Sequence, residues 1–430
     1  MESVGIGLVG FGTIGSGVAQ ILLESGGLLQ EKTGTQIQLR SVCDLDVESK
    51  RPVTLPKGLL TDDCNRILND PQISIVVELI GGVDAARKLT LAAIDKGKHV
   101  VTANKALLAK YGRELCEAAW AKGVCIMFEA SVGGGIPIIS AVREGFVANH
   151  LESIFGIVNG TSNFILSKMF RENVDYADAL KEAQELGYAE ADPALDVGGG
   201  DSAHKLAILA RLGFAVDFDD SDITVEGIDG LELVDIQFAR EFDHVIKLLA
   251  IGKQTPRGLE LRVHPTLLPQ SHPLATVNGV FNAIFVRGDA VGESMLYGRG
   301  AGMMPTASAV VSDIVSIALG NGPRAFEGLR VFPGRTKQVK VLPAEEIESR
   351  YYLRFKVKDR PGVLSAISGV LAKNSISIVS AIQQGRSEYE AVPVLLITHF
   401  AKERGIREAL REIDGLDSVV APTKLIRVED

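Results

Sequence analysis

Residues 4–15 read VGIGLVGFGTIG and constrain the rest of the chain most. A short β-forming run, Val4 to Val9, passes into Gly10-Phe11-Gly12-Thr13-Ile14-Gly15 and then into the helical pattern Val18 to Leu23. A strand, a G-x-G-x-x-G turn and a helix in succession leave few folds open. Gly10 permits the tight turn, Gly12 lets a pyrophosphate approach the backbone, and Gly15 lets helix and strand pack. The helix N-terminus adds N–H donors and the positive end of a dipole. The alternative, a Gly-rich turn that holds nothing, accounts less well for the alternation of strands and helices downstream.

That alternation is a βα rhythm. Ile37 to Val42 reads as a second strand ending at Cys43-Asp44. An acid there suits the ribose hydroxyls of NAD, whereas Arg40 or Arg51 would suit the 2′-phosphate of NADP, so the choice stays open. Glu24 to Gln36 reads as an inserted loop. Strands succeed it at Ile73–Leu79, Val100–Thr102 and Val124–Phe128, with helices at Ala85–Lys96 and Ala106–Ala121, stopped near Gly97 and Gly123. This pattern predicts a doubly wound parallel sheet, an α/β fold whose ligands lie beyond the carboxyl ends of the strands. Lys105 stands at such an end.

Glu129-Ala130-Ser131-Val132-Gly133-Gly134-Gly135-Ile136-Pro137 combines an acid with exposed carbonyls, either a hard-cation site or an interdomain hinge. From Leu151 the rhythm breaks. A strand over Ile154–Val158 precedes a helix toward Phe170, capped by Ser162 or Asn163, and a second helix, Tyr176–Leu186, stops at Gly187. The stretch from Gly187 to Lys205 then sets Glu190, Asp192, Asp196 and Asp201 against one Lys205. Asp201 falls at a helix N-terminus, and Lys205, four residues on, shares its helical face. Strands such as Leu259–Val263 and Ala283–Val286 predict one mixed sheet in an α+β unit, with edges that could pair in a dimer. A second glycine cluster, Gly298 to Thr306, precedes a helix, Ala307–Leu319, expected to return to the nucleotide unit. Gly320 to Leu342 reads as linker. Strand and helix patterns between Tyr352 and Arg427 take a ferredoxin-like βαββαβ order and form a module of their own.

With 430 residues, two or three domains are expected. The formal net charge of −9, with no Lys/Arg block, argues against nucleic acid or an anionic membrane as partner. Cys43, Cys64, Cys116 and Cys125 lack metal-type spacing and read as reduced, mostly buried thiols. No signal peptide or membrane-length apolar run is visible, which makes the cytoplasm the default compartment.

Taken in order, VVTANKALLA (Val100–Ala109), EASVGGGIPII (Glu129–Ile139), the Glu190–Lys205 stretch and GRGAGMMPTASAVVSDI (Gly298–Ile314) resemble the homoserine dehydrogenases, in the monofunctional bacterial form with a C-terminal ACT domain. The resemblance covers nearly the whole chain. It implies a Rossmann domain over residues 1–130, rejoined by a helix at 305–320. It further implies a catalytic and dimerisation domain over 131–304, a linker at 321–348 and an ACT domain over 349–430. The family reaction is reversible hydride transfer between NAD(P) and the pair L-homoserine/L-aspartate 4-semialdehyde.

By that resemblance Lys205 is the proton donor to the aldehyde oxygen, and Lys105 reaches cofactor and substrate. Glu190 and Asp201 hold the substrate's amino end. Gly187 and Gly302 line the nicotinamide side, and Glu129 with the carbonyls of Val132, Gly134 and Ile136 holds a sodium-type cation. A lysine ammonium stabilises and protonates the developing alkoxide. In the oxidative direction the lysine must first shed its proton, which a neighbouring cation such as Lys105 favours and a neighbouring acid opposes. Glu190 and Asp201 are therefore expected to face the substrate's ammonium. Relatives often carry arginine where this chain has Cys43, which weakens the case for NADP. The ACT unit is expected to sense L-threonine, and the chain to form a homodimer or homotetramer. Two rivals remain: another amino-acid or aldehyde dehydrogenase of similar architecture, and an amino-acid sensor on an inactive Rossmann scaffold.

Overall fold

The computed structural model describes residues 3–383 and 391–429. Residues 1, 2, 384–390 and 430, which fall in the first and last expected units, lie outside the described residues. The N-terminal unit is a six-stranded, all-parallel sheet. Its strands are β1 (Ser3–Val9), β2 (Gln36–Cys43), β3 (Leu60–Thr61), β4 (Ile73–Glu78), β5 (His99–Thr102) and β6 (Ile126–Met127), in the order β3-β2-β1-β4-β5-β6. Strands covered on both faces read as continuous apolar runs, and Ile6, Leu8, Val76, Val77, Val100 and Val101 are all buried.

Two features of this unit differ from expectation. Residues 24–36 are not an inserted loop but carry a helix, Gly26–Thr33, ended by Gly34 in the left-handed region at φ 70°. It buries no residue, so it has no apolar stripe for a periodicity argument to find. The two-residue edge strand β3 is likewise too short to announce itself.

The second unit is built on strands Leu151–Ile157, His244–Thr255, Gly258–Pro269, Phe281–Gly288 and Gly292–Arg299, joined as antiparallel neighbours. A short strand, Thr224–Val225, pairs parallel with Arg262–Val263, so the sheet is mixed. Helices Gly160–Glu172, Gly200–Phe214 and Leu233–Glu241 pack on it. The helix Met303–Ala318 crosses back onto the helix Thr13–Glu24, where Ala307 and Met303 close on Gly17.

The C-terminal unit has the βαββαβ order, with strands Glu348–Lys358, Ile378–Gln383, Ala391–Thr398 and Val419–Val428 and helices Val363–Lys373 and Glu403–Asp414. It has its own core around Leu353, Phe355, Ile367, Leu371, Ile406 and Ile413. It is not a free-standing module, however. Its last strand pairs in parallel with the strand Gly258–Pro269 at Thr266–Arg427 and Leu267–Val428, fusing the two sheets into one of eleven strands. The segment expected as linker is also packed. It contains a helix, Asn321–Gly328, and buries Phe326 and Phe332 against Trp120 and Phe128. Its Gly and Pro content concealed those aromatic anchors. Among the described residues, no single helix is long and apolar enough to cross a membrane.

Candidate active site

The glycine turn connects β1 to the helix Thr13–Glu24. Gly10 takes φ 99° and its N–H donates to the Cys43 carbonyl at 2.8 Å. A Cβ on Gly15 would collide with the Gly10 carbonyl, so only glycine lets the helix start this close to the strand. A Cβ on Gly12 would meet nothing within 4 Å, and no side chain caps this helix. Its first N–H groups are therefore left without a side-chain acceptor, as an anion-binding helix start requires. Asp44 closes the side of the turn: its Oδ2 accepts the Phe11 N–H at 2.6 Å and its Oδ1 the Asp46 N–H at 2.9 Å. Arg51 lies 3.6 Å from Asp44 and 3.4 Å from Asp46. Arg40 is elsewhere. It reaches back to Gln72 and Asp70, which precede β4 at the amino end of the sheet, so only Arg51 stands near the ribose position.

A cluster of charged candidate residues joins two units. Lys105 opens the helix Lys105–Lys122, and Asp201 and Lys205 lie one turn apart on the helix Gly200–Phe214. Asp201 is shared: Oδ1 lies 2.9 Å from Lys105 Nζ and Oδ2 2.7 Å from Lys205 Nζ. Lys205 also donates to the Val158 carbonyl at 2.6 Å, and Asn159 Nδ2 donates to Asp201 Oδ2 at 2.9 Å. Burial alone would raise the Asp201 carboxyl, but the ammoniums of Lys205 and Lys105 outweigh it and hold the group well below the usual carboxylate range. Asp201, expected to face the substrate's ammonium, instead has both carboxylate oxygens on the lysines. Sequence spacing showed that Asp201 and Lys205 share a face, but only the approach of the two units brings Lys105 to the other carboxylate oxygen.

The helix start that carries Lys105 is held by a chain of hydrogen bonds. Glu78, at the carboxyl end of β4, accepts the Thr102 hydroxyl at 2.6 Å. Thr102 Oγ1 accepts the Asn104 N–H at 3.0 Å, and Asn104 caps the lysine's helix through the Leu107 N–H at 3.0 Å. Burial pushes the Glu78 carboxyl up to about 7 against the pull of those donors. Asn159, not Ser162 or Asn163, caps the helix Gly160–Glu172 by accepting the Ser162 N–H at 2.8 Å. Its amide bridges Asp201 to Asp196, 2.7 Å away.

The other candidate residues fall around this centre. Glu190 is exposed on the loop after Gly187, its carbonyl accepting from Gln184, and its side chain does not join the cluster. Gly187, at φ 72°, ends the helix Tyr176–Glu185, and Gly302 precedes the helix Met303–Ala318 without a side-chain cap. Glu129 is buried, and its oxygens accept the N–H groups of Ile139 and Ser140, both at 2.8 Å. It caps the turn at Ile138, and the Ile136 carbonyl accepts from Ile138 at 2.7 Å. Val132 and Gly134 stand in the same glycine turn. Beside it, Asp313 Oδ2 accepts the Glu129 N–H at 2.7 Å. Burial, then the Glu129 charge, pushes Asp313 up to about 8, while burial also raises Glu129. Two buried carboxyls thus stand side by side at the glycine turn, each accepting backbone N–H groups.

Comparison with known proteins decides what this arrangement belongs to. Residues 10–129 match the homoserine dehydrogenase NAD-binding domain, 137–315 the homoserine dehydrogenase family itself, and 351–417 the ACT domain. A homoserine dehydrogenase from Neisseria gonorrhoeae is 44% identical, over 100% of this chain and 99% of its own. The chain belongs to the homoserine dehydrogenase family. Relatives of that name in Helicobacter pylori and Bacillus subtilis are 44% and 41% identical over 100% of this chain and at least 99% of theirs. The crystal structure of a homoserine dehydrogenase from Thiobacillus denitrificans has a TM-score of 0.93 at 43% identity, covering 100% of this chain and 99% of that one. A hyperthermophilic archaeal homoserine dehydrogenase solved in complex with NADPH has a TM-score of 0.61 at 26% identity, covering 74% of this chain and 98% of that one.

Both rival readings thereby fall. The chain is an oxidoreductase of this family with an NAD-binding domain, acting on a small molecule, and it carries an ACT domain of the kind that binds amino-acid effectors. The Gly10–Gly15 cradle and its uncapped helix suit the pyrophosphate of NAD(P). Sequence reasoning named Asp196 without its tie to Asn159, and missed Asn159, Asp313 and the Glu78–Thr102–Asn104 chain. The asparagines left a trace, since each stands directly before a helix that needs a cap. Glu78 and Asp313 left none, because a buried acid and an exposed one look alike in a sequence.

Proposed function

We propose that this chain catalyses the reversible interconversion of L-aspartate 4-semialdehyde and L-homoserine with NAD(P), in threonine, methionine and isoleucine biosynthesis. The observation that carries the proposal is the Asp201 carboxylate held between Lys105 and Lys205. Bound NAD(P) supplies or accepts the hydride. The chain's own residues manage charge and protons. Lys205 gives two of its N–H groups to Val158 and Asp201, and an ammonium has a third for the substrate oxygen. That hydrogen bond strengthens as the carbonyl oxygen becomes an alkoxide, and Lys205 then delivers the proton. In the oxidative direction Lys205 takes the hydroxyl proton instead.

Two ammoniums in contact with one carboxylate leave an excess of positive charge facing the oxygen that turns negative. Asp201 orders the lysines, so Glu190 is the acid left for the substrate's ammonium. Gly187 and Gly302 are assigned to the nicotinamide side, and Glu129 with the carbonyls of Val132, Gly134 and Ile136 to a Na⁺-type cation. Asp44 favours NAD, and Arg51 beside it keeps NADP within reach. The ACT unit is assigned L-threonine as effector. The edge strand Gly292–Arg299, which exposes Met295 and Tyr297, suits pairing in a homodimer or homotetramer. The cytoplasm is the compartment proposed.

The test is initial-rate oxidation of L-homoserine with NAD and NADP in parallel. Turnover is expected with at least one, and the ratio reports the balance of Asp44 and Arg51. No turnover with either, in folded protein that still binds nucleotide, would refute the reading. Adding L-threonine to the full chain should lower the rate, and an unchanged rate would remove the effector assignment alone.

A further inference from the structure

The C-terminal unit touches the second unit through a charge cluster built around the buried Arg427 and Glu403. Arg427, only 2% exposed, forks onto Glu226 through Nη1 and Nη2, both at 2.9 Å, and meets Glu403 through Nε at 2.8 Å. Arg407 donates to Glu226 and Glu403, each at 2.9 Å. Arg427, Arg407 and Glu403 belong to the C-terminal unit, whereas Glu226 belongs to the second. A bidentate guanidinium–carboxylate pair fixes direction as well as distance.

Glu226 directly follows the short strand Thr224–Val225, and its N–H extends that pairing by donating to the Val263 carbonyl at 2.8 Å. The residues around it lie directly on the segment that carries the reactive cluster. The Ile228 N–H donates to the Val197 carbonyl at 2.8 Å, and a Cβ on Gly227 would stand 2.5 Å from that carbonyl oxygen and 2.8 Å from Gly198 Cα. Val225 and the Glu226 carbonyl close in the same way on Gly199, which precedes the helix of Asp201 and Lys205. Asp196, one residue before Val197, is the acid that Asn159 ties to Asp201. The contacts form an unbroken line from Arg427 to the helix start that presents Asp201.

We propose that Glu226 is a positioning residue through which the C-terminal unit sets the substrate side of the active site. Held by Arg427 and Arg407, it presses residues 225–228 against Val197–Gly199 and thereby fixes the first turn of the helix bearing Asp201 and Lys205. The cofactor cradle at Gly10–Gly15 lies on a different unit and is outside this line. The inference rests on the assignment of Asp201 and Lys205 to the reacting end of the substrate.

The test compares Glu226→Gln and Glu226→Asp with the unaltered full-length chain. Glu226→Gln should lower kcat/KM for homoserine by about two- to thirty-fold, the range expected when a coupling contact is lost. KM for NAD(P) should stay unchanged, and Glu226→Asp, which keeps the charge, should recover part of the loss. Unchanged homoserine kinetics would overturn the proposal. So would equal damage to cofactor and substrate constants with no recovery in Glu226→Asp, because that marks a merely structural role. Gly227→Ala breaks the next contact and should give the same split; an unaffected kcat/KM for homoserine in that variant would also overturn it, even if Glu226→Gln fails to fold. Lys205→Ala separates the two levels. Full turnover in Lys205→Ala would remove the site assignment, whereas an inactive Lys205→Ala beside a normal Glu226→Gln would remove only the role of Glu226.

Discussion

Two ion clusters in this molecule, each built around a buried charge, use similar parts to opposite ends. At the candidate active site one carboxylate, Asp201, is shared by two ammoniums, and Lys105 keeps a third of its side chain exposed. At the seam with the C-terminal unit, Arg427 and Arg407 face Glu226 and Glu403, so charges match and nearly every donor of Arg427 is engaged. The first cluster is unbalanced and open, as the proposed reaction requires for an oxygen that gains charge. The second is balanced; Glu226 and Arg407 reach solvent, but the buried Arg427 is closed in by Glu226 and Glu403, which fixes one unit against another. A buried charge lies at the centre of both. Whether a buried charge cluster does chemistry or holds shape depends on its stoichiometry and on the donors it leaves unused.

The largest expected effect is at the open cluster. Lys205→Ala should lower kcat by about a hundred- to ten-thousand-fold, the range for a lost general acid, while nucleotide binding by fluorescence titration is kept. Unchanged turnover would break the comparison at once. Next comes Glu403→Ala at the closed cluster, which strips a buried guanidinium of one partner and should cost about 3–5 kcal/mol in urea unfolding. Its kcat per folded molecule should change far less than in Lys205→Ala; a comparable loss would mean that both clusters serve catalysis directly.

Stability against pH sharpens the comparison further. Asp201 has a depressed carboxyl, so its contribution is present above the unfolded value of about 4 and is lost as pH falls through the folded one. The stability gap between the unaltered chain and Asp201→Asn should be flat above about pH 4 and close below it. Asp313 has the opposite sign. Its folded carboxyl is pushed up to about 8, so ionisation works against the fold as pH rises from the unfolded value to that point. Asp313→Asn keeps an acceptor for the Glu129 N–H and should gain on the unaltered chain over that window, as read by urea midpoints. A gap that shrinks there would show that something nearby compensates the charge. The smallest effect belongs to a solvated pair, Lys373 and Glu412, 2.8 Å apart but exposed. Glu412→Gln should leave the melting temperature unchanged, because water screens what burial would have strengthened.

Much of the architecture was legible in the sequence. The parallel sheet could be read from apolar runs alternating with helical periods, and the C-terminal βαββαβ order in the same way. The helix Gly26–Thr33 was illegible because it buries nothing, and the aromatic anchors of residues 320–342 were hidden in Gly- and Pro-rich surroundings. The site was legible in its parts: the glycine turn, Lys105, and Asp201 four residues before Lys205. Its connections were not.

The sequence by itself determined local structure, because turn chemistry, capping and hydrophobic period act over a few residues. Gly15 has to be glycine for a helix to start that close to its strand. Only the tertiary structure decided which charges meet. Lys105 and Asp201 are far apart along the chain, as are Glu226 and Arg427, and their pairing depends on how whole units dock. The strength of each pairing then depends on how much water that docking excludes, which no local pattern records.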